Sequence, residues 1–223
     1  MVQVFSRVRG ALLAGACAVV LSGCAGNVAP EVKRLPERVE LSGTFYRGEA
    51  NQSGPQVLAS LLSQQGIVIT PGLLEKPLHL PGAEDKLQQN MQNLAREYGL
   101  MVYPLDSKLP ALLTQVAAGY PVMVRFSEGS AFWAEPRYAI LSGYDRNKQK
   151  VLLRAGMNRR QLMDFGSFES ALEKAGGWAI LIQKPSQIPA AVDRSRWLKA
   201  ADELAQAGEE NAAAQARKAL AAQ

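Results

Sequence analysis

The chain has 223 residues, 48% hydrophobic and 20% charged, with a formal net charge of +5, one His and two Cys. That length fits one compact domain with a small appendage, and that composition excludes wholesale disorder and a coiled rod. Two Cys and one His cannot build a Cys/His zinc cluster, and they allow at most one disulfide.

The first element is an export signal. Met1–Gly10 carries Arg7 and Arg9 without an acid, and Ala11–Leu21 is an uncharged apolar run. Such a run is too short for a comfortable membrane span and has the layout of a basic n-region followed by an h-region. It ends in Leu21-Ser22-Gly23-Cys24, which resembles the bacterial lipoprotein signal. The resemblance implies cleavage of residues 1–23, lipidation of Cys24 and, with Ala25 next, forwarding to the outer membrane facing the periplasm. Cleavage would remove Cys17 and two arginines, leaving no free thiol and lowering the formal charge from +5 to +3. So small a charge, spread along the chain, points to no nucleic-acid partner. Membrane affinity would come from the acyl chains, including palmitate, at Cys24.

Residues 24–43 mix Pro30, Pro36 and charges without periodicity, as a spacer does. Helical spacing of apolar residues predicts helices over 54–65, 85–98 and 109–118, the last closed by Gly119. Strands follow over 121–126, 138–144, 150–154 and 178–183, with a helix over 165–174 between the last two. Helices followed by successive short strands define an α+β domain with an antiparallel sheet, here residues 44–185. After Pro185 and Pro189, residues 190–223 turn Ala-rich and predict two helices broken at Gly208. Trp197, Ala201, Leu204, Gly208 and Lys218-Ala219-Leu220 resemble one tetratricopeptide unit. A lone unit has no neighbours to bury its face, so a helical hairpin packed on the main domain is the expectation.

Ser53-Gly54-Pro55-Gln56 opens the first long helix and has the pattern of a capping box, Ser at the N-cap and Gln three residues on. The same corner carries a resemblance. Thr44-Phe45-Tyr46 followed by Ser53-Gly54-Pro55 is similar to the start of the double-glycine leader peptidases, a bacteriocin-processing, papain-like cysteine peptidase family. Gly119-Tyr120-Pro121-Val122 resembles that family's G-x-P-V strand, and Arg137 to Asp145 resembles the strand that begins with the catalytic His. Leu153-Arg154-Ala155-Gly156, Arg159-Arg160, Phe168 and Trp178 fit a lipoprotein branch of it. The resemblance spans about residues 40–185 and implies a papain-like fold: N-terminal helices on an antiparallel sheet.

Carried over one residue at a time, the catalytic machinery is missing. The nucleophile position holds Ser53, the general-base position Arg137 and the oxyanion-glutamine position Gly48. The acid or amide that would orient the His falls near Leu153–Gly156, where neither occurs. A serine needs a base within hydrogen-bond reach, and arginine cannot accept its proton. His79, between Leu78 and Leu80 in a loop, does not align with the base position. Arg159-Arg160 is first a basic turn, with anion binding as the alternative. Arg125, Phe126, Phe132 and Trp133 are candidates for lining a peptide groove, and no glycine loop or metal spacing calls for a cofactor.

The expectation is therefore a pseudopeptidase that binds a peptide or protein, with Ser53, Arg137, Tyr138 and Trp133 as groove candidates. A displaced hydrolase using Ser53 and a purely structural lipoprotein are the alternatives.

Overall fold

The computed structural model describes residues 29–49, 52–130 and 133–223. The expected signal, residues 1–23, the expected lipidation position Cys24 and Phe132 lie outside them, as does the side chain of Trp133. Among the described residues no helix is long and apolar enough to cross a membrane.

In chain order, α1 (Pro30–Lys33) and β1 (Arg38–Glu40) precede α2 (Ser53–Gln64), α3 (Pro71–Glu75) and α4 (Leu87–Glu97). Then come β2 (Met101–Pro104), α5 (Leu109–Ala117), β3 (Val122–Ser130), β4 (Trp133–Asp145), β5 (Lys150–Ala155) and β6 (Asn158–Asp164). The chain closes with α6 (Phe165–Lys174), β7 (Ala179–Gln183), α7 (Arg194–Gln206) and α8 (Glu210–Ala221). The strands form one antiparallel sheet in the order β2-β7-β3-β4-β5-β6, with β1 paired to β4.

Both faces of the sheet are covered, so its strands are apolar where the helices meet them. On one face Leu58, Leu61, Leu62 and Met91 of α2 and α4 pack against Val102, Met123, Ile140 and Ile182. On the other, α5, α6 and the α7–α8 hairpin pack on Tyr103, Val124, Phe126 and Leu153. The hairpin is bound tightly. Trp197 is fully buried, stacks at a tilt on Tyr103 at 5.9 Å and donates its indole N–H to the Ala216 carbonyl at 2.9 Å. The Arg96 guanidinium of α4 meets Glu203 of α7 at 2.5 Å.

Beyond α3, β2 and β6, which the sequence did not predict, two stretches differ from expectation. The stretch expected to be a spacer contains α1 and β1: Val32 is 1% exposed, and Leu35, Val39 and Leu41 pack on the core. The β3–β4 hairpin extends well beyond its predicted apolar runs, pairing Ser127 with Pro136, Glu128 with Glu135 and Gly129 with Ala134.

Candidate functional site

The corner expected to hold the catalyst is built where the N-terminus of α2 meets β4. Beyond Ile140, toward its N-terminus, β4 loses its neighbour β5. Arg125 donates its backbone N–H to Trp178, so Arg125 and Tyr138 are a non-hydrogen-bonded pair and the Tyr138 N–H points away from β3. A buried, unpaired N–H costs about 1–3 kcal/mol. Ser53 removes that cost: its Oγ accepts from the Tyr138 N–H at 3.1 Å, with Ser53 only 4% exposed.

The capping box does not form. The N-cap residue is Gln52, without a side-chain cap, and Ser53 is already helical. Its hydroxyl serves the strand instead of the helix. Gln56, one turn on and 4% exposed, donates its amide to the Glu49 carbonyl at 3.4 Å, leaving Oε1 without a partner. Gly48, the aligned oxyanion position, makes room for that amide: a Cβ there would lie 1.9 Å from Gln56 Nε2. An amide is therefore present beside the nucleophile position, but it comes from α2 and is spent on the backbone.

Arg137 does not face Ser53. It is paired with Phe126 across the β3–β4 ladder and shares Phe126's face, while Tyr138 and α2 share the other. Its guanidinium lies 2.9 Å from Glu135 and 4.0 Å from Glu128. Those two glutamates are direct cross-strand partners. Like charges so placed repel, and Arg137 between them offsets the repulsion. The cation expected to be available to a ligand is thus already engaged.

The other candidates divide. Tyr138 is 8% exposed and meets Trp178 edge-on at 5.7 Å; burial pushes its phenol pKa up to about 12. Phe126 is fully buried in the core, so it lines no groove. Arg125 donates to the Ala175 carbonyl at 3.3 Å. Trp133 opens β4, paired with Ser130. His79 is exposed, on the loop after α3 with φ of 59°. Arg154, at the place of the residue that would orient a catalytic His, is 4% exposed and donates to the Leu41 carbonyl. Its pKa is lowered first by burial and then by the nearby Arg159. Among the described residues there is no group of three or more His, Cys, Asp or Glu that could hold a metal ion.

Among the described residues, the corner has an immobilised hydroxyl with no base hydrogen-bonded to it and an amide turned to the backbone. Sequence reasoning took Gln56 only as a capping-box partner of Ser53 and missed its place against Gly48, which depends on the fold of the segment before α2.

No family profile and no curated protein sequence matches the chain. Solved structures do. A C39-like peptidase from Bacillus anthracis superposes with a TM-score of 0.50 at 15% identity, covering 67% of this chain and 98% of that one. The peptidase domain of Streptococcus ComA, a bifunctional ABC transporter of a quorum-sensing pathway, gives 0.46 at 16%, covering 66% and 98%. A double-glycine-motif protease from an AMS/PCAT transporter, solved with its leader peptide, gives 0.46 at 12%, covering 68% and 95%. The first of these carries the conclusion: the chain has the papain-like fold of C39 peptidases.

Proposed function

We propose that this protein is a bacterial envelope lipoprotein, anchored through Cys24, whose peptidase fold is catalytically dead and serves to bind or tether a peptide or protein partner. One observation carries the loss of catalysis. The hydroxyl at the nucleophile position is buried and accepts the Tyr138 backbone N–H, while the side chain at the base position is an arginine on the other face, engaged by Glu135. A serine without a base is not a competent nucleophile. Binding is supported by the retained fold, which keeps both layers of helices on the sheet although the chemistry is gone.

A second reading, a purely structural envelope protein, is favoured by the engagement of Arg137 with Glu128 and Glu135. Immobilised full-length chain, challenged with a mixture of unmodified peptides and analysed by mass spectrometry, separates the readings. Retention of intact peptides supports binding. Intact peptides without retention support the structural reading, and cleavage products absent with Ser53→Ala overturn both.

A further inference from the structure

Arg154 is the most unusual charge in the molecule. It is 4% exposed, and among the described residues no carboxylate lies within ion-pair distance of it or of Arg159. Burying an uncompensated cation is costly, so such groups are normally paired. One arm of the guanidinium reaches the Leu41 carbonyl; the other, Nη1, is buried without a partner. Gln64 Nε2 is a second buried donor without a partner. Both pack against Gly43 and fill the place a side chain would take: a Cβ there would lie 1.7 Å from Gln64 Nε2 and 2.9 Å from Arg154 Nη1. The φ of Gly43, +154°, is one that residues with side chains rarely adopt. Only glycine leaves both donors their room.

A cavity of about 290 Å³ opens beside Arg154, its polar lining Arg159, Arg160, Ser42 and Glu40 and its apolar lining Leu41 and Leu152. Glu40 does not neutralise it. Arg160 takes both its oxygens at 2.7 and 2.9 Å and Arg38 adds a third contact at 3.3 Å. Arg154 and the exposed Arg159 therefore remain as uncompensated positive charge. The donors come from three segments of chain: β5, β6 and the connection after β1.

From this arrangement we infer that the pocket lined by Ser42, Arg154 and Arg159 is a binding site for a phosphate group. A tetrahedral oxyanion accepts from donors approaching in several directions, as these do, and a guanidinium fork matches two of its oxygens. The site is distinct from the Ser53 corner and stands whether or not the protein binds peptides. A free phosphate or monoester and the phosphodiester of a lipid headgroup share this chemistry.

The test is the thermal midpoint of the full-length chain in detergent, titrated at constant ionic strength with inorganic phosphate or with glycerophosphoglycerol, a deacylated headgroup. Ligand binding to the folded state raises the midpoint with concentration. One of the two is expected to raise it where matched chloride does not. A lower half-effect concentration for the diester identifies a headgroup; the reverse identifies a free phosphate or monoester. Arg159→Gln, at an exposed position, is expected to raise the half-effect concentration about tenfold or more. No response to either phosphate, or a response unchanged by Arg159→Gln, overturns the inference.

Discussion

Ser53 Oγ accepts the backbone N–H of Tyr138 at 3.1 Å, joining the first turn of α2 to the stretch of β4 that β5 leaves uncovered. The side chain at a nucleophile position has thereby become a strand tie. Ser53→Ala removes the acceptor and leaves a buried N–H unmade, so it is expected to destabilise the fold by about 1–3 kcal/mol. Urea melts check the value; Ser53→Thr, which keeps the hydroxyl, tests whether the acceptor is the cause.

Gly48 and Gln56 are expected to behave as a coupled pair. A Cβ at Gly48 would sit 1.9 Å from the Gln56 amide, which is itself 4% exposed. Overpacking of this kind costs about 1–3 kcal/mol. Gly48→Ala should show that loss, and adding Gln56→Ala should recover much of it. A double-mutant cycle with no coupling would contradict the packing described.

Arg137 is expected to act on stability through its two glutamates. Arg137→Gln leaves Glu128 and Glu135 facing each other across the ladder, for a loss of about 0.2–1 kcal/mol. A further Glu135→Gln should restore it. Melts of the wild type and the two variants at neutral pH give the comparison.

The Tyr138 phenol, held up to about 12 by burial, has a signature at high pH. Unfolded tyrosine ionises near 10. The raised folded pKa contributes stability fully present below about pH 10 and lost as pH rises through about 12. Absorbance titration of phenolate should show a late-ionising tyrosine, missing from Tyr138→Phe.

Much of this architecture was written in local patterns. The helix over Phe165–Lys174 begins and ends where its apolar spacing placed it, because Phe168 and Leu172 must meet the sheet. Strand β6, Asn-Arg-Arg-Gln-Leu-Met-Asp, was not visible. As an edge strand it is mostly exposed and shows no apolar run, and its pairing, Leu152 to Leu162, is set by β5. Four-residue β2 was too short to announce itself and is defined by its ladder with β7. The short α1 and β1 were hidden because isolated Val32 and Val39 carry no period.

The site was legible to a similar degree. The residue types at 48, 53 and 137 already argued against papain-like chemistry. Their present roles could not be read from local sequence. The tie to Tyr138 spans 85 residues, and the engagement of Arg137 depends on a hairpin register that polar residues 127–130 do not signal. The convergence of Gln64 and Arg154 beside Gly43 likewise joins three distant segments.

The most direct test of catalytic loss is digestion of the same peptide mixture by the wild-type chain and by Ser53→Ala, with a fluorophosphonate serine probe in parallel. The expected result is no time-dependent cleavage by either and no probe adduct on Ser53. Cleavage by the wild-type chain that vanishes in Ser53→Ala, with the adduct mapped to Ser53, would contradict it.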